Sequence, residues 1–125
     1  MALQPGGPAT EQRGRDTRRF DTADRALLLN AAVGVLQDLG FTIEESQAAY
    51  GIVVGSRIAT GRVRAQVVVA PSGNGTTTAV RVTFQRMMPR PGAMLPMGET
   101  IREPEVYAAF FEKLSQSVFL TAHAI

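Results

Sequence analysis

Large apolar residues recur at spacings of three and four in the C-terminal stretch, residues 104–122. Tyr107, Phe110, Phe111, Leu114 and Val118 fall on one helical face. Three of the chain's eight aromatic residues sit there, so the stripe must be covered. Pro104 suits the first helical turn, where its missing N–H costs no hydrogen bond. A second stripe, Leu28, Ala32, Val35, Leu36 and Leu39, predicts a helix over residues 23–39. Asp21 or Thr22 is placed to cap it, Asp24 complements its dipole, and Gly40 follows as a left-handed stop.

Between the two helices the period falls to two, which predicts four strands. In residues 41–45, Phe41 and Ile43 point inward. In residues 52–58, Ile52 and Val54 are expected inward. In residues 62–70, Val63, Ala65, Val67 and Val69 oppose Arg62, Arg64 and Gln66. In residues 77–87, Val80, Val82 and Phe84 oppose Arg81, Thr83 and Gln85. One polar and one apolar face means an antiparallel sheet covered on one side. Gly73-Asn74-Gly75 is a hairpin turn, because all three residues tolerate positive φ. Residues 17–20 can add a short edge strand.

Two amphipathic helices and one half-apolar sheet bury all three apolar surfaces only if both helices lie on the same face of the sheet. The fold class is therefore α+β. It is a two-layer sandwich with a four-stranded, or five-stranded, antiparallel sheet and N- and C-terminal helices on one face. Residues 1–16 carry Pro, Gly and charge without periodicity and read as a flexible leader. Residues 17–125 form a single domain.

The length of 125 residues fits one domain with its own core, and 45% hydrophobic with 19% charged residues fits a globular chain. No apolar run reaches the roughly 18 residues of a membrane-spanning helix. The chain has no cysteine, which excludes disulfides and thiolate chemistry. Residues 1–19 hold the whole net charge of +2, and residues 20–125 are neutral. The basic arm is a weak electrostatic footprint, so nucleic acid is disfavoured as a partner.

Candidate chemistry is sparse. His123 is the sole histidine and has no orienting partner in the sequence. Glu44 and Glu45 are neighbours in a strand and point to opposite faces. Glu103 and Glu105 favour the dipole at the start of the last helix. No nucleophile, base and orienting group stand at recognisable spacing, so the chain reads as non-enzymatic, with no cofactor and no metal. Met87, Met88, Met94 and Met97 cluster with Leu95 in and beside a long Pro/Gly-rich connection, residues 88–102. Soft thioethers suit Cu(I), but methionine more often supplies adaptable apolar contact surface. These five residues are therefore the expected partner-binding set. Arg62, Arg64, Arg81 and Gln85 share the open sheet face, which carries no aromatic platform for RNA.

Three phrases together resemble an uncharacterised family of small exported lipoproteins of Gram-negative bacteria. They are R-R-F-D-T followed by L-Q-D-L-G-F, R-V-T-F-Q-R at 81–86, and F-F-E-K-L-S-Q-S-V-F-L at 110–120. The resemblance covers residues 17–125. It implies a periplasmic domain anchored at the outer membrane by a lipidated cysteine upstream of residue 1. Without such an export signal the protein would be cytoplasmic. A longer apolar insertion between the second and third strands is typical of the family. Here Ser56-Arg57-Ile58-Ala59-Thr60-Gly61 makes a short link instead. The layout is also similar to helix-grip domains of lipoproteins in the barrel-assembly machinery, a likeness of fold alone.

The expected function is a binding or scaffold domain of a membrane-tethered lipoprotein, acting on an envelope protein or on itself. A carrier holding an apolar ligand or lipid between the second helix and the sheet is the alternative. A cytosolic nucleic-acid-binding module using the arginine-rich arm is a third reading.

Overall fold

The structure, a computed structural model, describes residues 14–59, 61–88, 92 and 97–122. In chain order the elements are β1 (Thr17–Phe20), α1 (Arg25–Asp38), β2 (Thr42–Gln47), β3 (Ile52–Ala59), β4 (Gly61–Ser72), β5 (Thr77–Met88), β6 (Met97–Thr100) and α2 (Pro104–Ala122). All strand pairs are antiparallel, and the sheet runs β1-β5-β4-β3-β2, with β6 also on β5. β1 pairs with residues 78–81 of β5 and β6 with residues 85–88, so the two short strands share one edge. The α+β sandwich expected from the patterning is the fold, with a sixth strand added.

α1 is punctuated at both ends by its sequence. Asp24 is the N-cap and accepts from the Leu27 N–H at 3.0 Å. The cap was expected at Asp21 or Thr22. Thr22 instead accepts the Asp24 N–H through its hydroxyl at 3.1 Å, which leaves Asp24 free to cap. At the other end, Gly40 has φ +92°, and its N–H donates to the Gln37 carbonyl. The Phe41 N–H donates to the Leu36 carbonyl, completing a Schellman motif. Phe41 is thereby turned into the core.

The core lies between the sheet and the helices. Leu28, Ala32, Val35 and Leu36 of α1 and Tyr107, Phe110, Phe111 and Leu114 of α2 are buried against Val53, Ala65, Val67, Val80, Val82 and Phe84. Phe84 is the hub, with ring centroids 5.9 Å from Phe41, 5.3 Å from Tyr107 and 6.0 Å from Phe110. Tilted and edge-on geometry matches the preference of aromatic quadrupoles. The buried Tyr107 hydroxyl donates to the Ile101 carbonyl, so the one polar atom on this face of α2 is satisfied. Arg18 of β1 lies 4.8 Å over the Phe111 ring and covers the outside of α2's aromatic layer.

Two sequence expectations are corrected. Val53, not Ile52 and Val54, faces the helices: Val53 pairs with Val67, and Ile52 and Val54 pair with Val68 and Gln66 on the open face. The run Ile52-Val53-Val54 is apolar throughout and carries no parity of its own. In β2 the register shifts between Ile43 and Glu45, leaving Glu44 as the extra residue of a bulge. Glu44 and Glu45 therefore do not simply alternate, and Glu44 reaches Arg62 at 2.6 Å.

Of the expected leader, residues 1–13 lie outside the described residues. Residues 14–16 are helical, and Asp16 is buried, accepting from Thr17 Oγ1 at 2.7 Å and from Arg81 Nε at 3.3 Å. Among the described residues no helix is long and apolar enough to cross a membrane.

Candidate functional site

The aromatic layer packs between α2 and the sheet: Tyr107, Phe110, Phe111 and Leu114 are at most 1% exposed. The packing fails one row further along. α1 has ended at Leu39 and α2 starts only at Pro104, and in the last helix-facing row of the sheet only Val63 is buried. That row reads Arg57–Val63–Arg86–Glu99 across β3, β4, β5 and β6.

The result is a half-open groove of about 420 Å³. Its floor and walls are apolar, made by Leu39, Val63, Phe84, Ile101, Val106 and Ala109. Four charges rim it: Arg57 and Arg86 from the sheet, Glu103 and Glu105 from the start of α2. Arg57 is held in place, since it donates to the Leu39 carbonyl at 3.1 Å and stacks 5.0 Å over Phe41. The half-buried Arg86 side chain has no hydrogen bond or ion pair among the described residues, and the Glu103 and Glu105 carboxylates have none either. The volume is within the roughly 300–1,000 Å³ of small-molecule sites.

At the groove's end of the sheet two apolar side chains are exposed, one on each face. Ile58 is 77% exposed and Met88 47% exposed. Met87, half-buried on the open face, sits in register with Arg62 and Gly98. Of the expected partner-binding set, Met87 and Met88 thus lie at this end. Met94 and Leu95 lie outside the described residues, as does His123. Met97 opens β6 opposite Met88.

Arg62, Arg64, Arg81 and Gln85 all lie on the sheet face turned away from the helices. A shallow depression of about 230 Å³ there is lined by Arg64, Gln66, Val68, Arg81, Thr83 and Gln85. Its charge is mostly spent internally. Arg62 pairs with Glu44, Arg81 pairs with the buried Asp16, and Arg64 donates to Gln66 at 3.4 Å. A polyanion would compete with those carboxylates at Arg62 and Arg81, while Arg64 has only the neutral Gln66 as its partner. Among the described residues no group of three or more His, Cys, Asp or Glu side chains could hold a metal ion.

Sequence reasoning took Glu103 and Glu105 only as partners of the helix dipole and did not single out Arg57 and Arg86. A signal was present, since Arg86 continues the inward series Val80, Val82, Phe84 where an apolar residue belongs. The chain matches no protein-family model, and no curated protein is detectably similar to it in sequence.

Proposed function

We propose that this chain is a non-enzymatic binding domain of a membrane-tethered envelope lipoprotein, and that it binds through the groove end of its sheet. The periplasmic, lipid-anchored setting rests on the sequence resemblance. The binding reading rests on one observation: an apolar groove of about 420 Å³ opens where the core is complete behind it. Val106 is half-buried along the slot, and Val63 and Ile101 close it off as buried residues at its floor. Apolar concavity with a few charged groups at the rim is the common form of a ligand site. The exposed Met88 continues the helix-facing series of β5 past the groove, whereas the exposed Ile58 lies on the opposite face beside Arg62.

The test is to fill the groove without touching the core. Ala109 lines the groove and is solvent-exposed, so Ala109→Trp should occupy the slot and leave the melting temperature nearly unchanged. An environment-sensitive apolar dye should bind the native protein saturably, one per chain, and the Ala109→Trp protein at least about tenfold more weakly. Equal dye binding by both proteins would remove the groove as the site.

A further inference from the structure

The tip of the β4–β5 hairpin carries a chemistry that does not depend on the groove. Residues 73–76 form the turn, and all four are solvent-exposed. Gly73 and Gly75 hold positive φ, +61° and +89°. Below the tip the ladder is firm: Ser72 pairs with Thr77, and their hydroxyls lie 2.6 Å apart. The tip is therefore a small exposed loop on a rigid base.

Asn74 stands in that loop directly before Gly75. The backbone nitrogen that follows an asparagine can attack the side-chain carboxamide carbon and close a five-membered ring. Three features of this turn favour that step. Gly75 brings no Cβ against the closing ring, and nothing beyond its chain neighbours lies within 4 Å of where one would stand. The Thr76 hydroxyl donates to Asn74 Oδ1 at 2.8 Å. That donor draws charge from the carboxamide carbon and meets the oxyanion that forms on Oδ1 during attack. Solvent exposure brings water and hydroxide to the loop. One feature opposes the step: the Gly75 N–H donates to the Ser72 carbonyl at 3.1 Å, and the nitrogen must leave that bond before it attacks. An exposed turn bond opens locally without unfolding the sheet.

The chain holds one other asparagine, Asn30, which is also exposed. Exposure alone therefore does not separate the two. Asn30 precedes Ala31 inside α1, where the Ala31 N–H is committed to the helical ladder and its methyl group crowds the ring.

We propose that Asn74 is a site of self-modification in the folded protein. The Gly75 nitrogen gives up its proton and bonds to Asn74 Cγ. The Cγ–Nδ2 bond breaks, and Nδ2 takes up that proton and leaves as ammonia. Water then opens the succinimide. Attack at Cγ restores the ordinary chain with aspartate at this position. Attack at the backbone carbonyl carbon leaves the chain running through Cγ as isoaspartate. Nothing is oxidised or reduced. Either product puts a carboxylate at the hairpin tip, and isoaspartate also inserts a methylene into the turn. The isoaspartyl form is the substrate class of carboxyl methyltransferases that use S-adenosylmethionine.

The experiment incubates the full chain, folded, in mildly alkaline buffer and samples it over time. Trypsin releases Asn74 in the peptide 65–81 and Asn30 in the peptide 26–57. Mass spectrometry reads the amide-to-acid mass gain, with fragmentation placing it on the residue. Methyl transfer from labelled S-adenosylmethionine by an isoaspartate-specific methyltransferase reads the isoaspartate. Asn74 should convert at least about tenfold faster than Asn30 while the circular dichroism of the sheet is kept. Thr76→Val, at an exposed position, should slow Asn74 about two- to tenfold, the worth of one exposed hydrogen bond. Conversion of Asn74 no faster than that of Asn30 in the folded chain would overturn the proposal. Conversion seen only in urea would overturn it too, because the folded tip would then be inert. An unchanged rate in Thr76→Val would overturn the role given to the hydroxyl.

Discussion

Truncating Phe110 to alanine tests whether the C-terminal stripe carries the core. Phe110 is fully buried and makes edge-on contacts with Phe84 at 6.0 Å and Phe111 at 5.2 Å. A buried phenylalanine removes about 150–250 Å² from water. At about 25 cal/mol per Å² that is roughly 4–6 kcal/mol for the whole side chain, an upper bound because the unfolded chain buries some of it already. Alanine retains one carbon of it, and the cavity left behind adds to the loss. The expected cost is therefore about 3–5 kcal/mol. A domain of this size holds about 5–15 kcal/mol in total. Urea unfolding followed by circular dichroism should show the midpoint fall by roughly 2 M for a slope near 2 kcal/mol/M. Ile58→Ser, at a position 77% exposed, is the control and should move the midpoint little, by under about 0.5 kcal/mol. A loss below about 1 kcal/mol for Phe110→Ala would mean that the helical face is not packed as described.

Two further outcomes are expected. Gly51 has φ +67°, and a Cβ there would run into the Val69 carbonyl oxygen, so Gly51→Ala should cost about 2 kcal/mol or more. Gly75, with φ +89° and open space around it, should lose only about 1 kcal/mol on the same change, and equal losses in thermal melts would contradict the close approach. Asp16 is 1% exposed while its partner Arg81 is 54% exposed, so the pair is asymmetric. Arg81→Ala strands a buried carboxylate and should destabilise by about 2 kcal/mol, more than Asp16→Ala, which leaves a cation that water can solvate. The double variant should resemble Asp16→Ala; strict additivity in the cycle would show that the two groups do not interact.

Most of the fold was legible because most of it obeys one period at a time. α2 matches its predicted span, residues 104–122, and Gly73-Asn74-Gly75 turns the β4–β5 hairpin with φ of +61° at Gly73 and +89° at Gly75. β6 was missed because Met97-Gly98-Glu99-Thr100 has no alternation and contains glycine. Its pairing is imposed by the length of β5, which runs on to Met88. The inward face of β3 was assigned one residue off because three successive apolar residues fit either parity. The groove was illegible for a different reason. It is a gap defined by where α1 stops and α2 starts, lined by residues from distant parts of the chain. Met87 and Met88 of the methionine cluster lie at the same end of the sheet as the groove.

The placement of β1 and α2 also fixes an order of events during synthesis. β2 to β5 form a meander of neighbouring hairpins, which can assemble from local contacts as they emerge. α2 follows every strand in the chain, yet it supplies the buried Tyr107, Phe110, Phe111 and Leu114, the largest side chains on the helix side of the core. Until that segment has left the ribosome, Phe84 and the valines of β4 and β5 face water on a nearly finished sheet. Chain growth at about 5–20 residues per second leaves that surface open for roughly a second or more while the remaining residues are added. The nascent chain is thus most adhesive at a defined length, between Met88 and Pro104. Arrested chains ending there should aggregate, whereas chains extended through α2 should stay soluble.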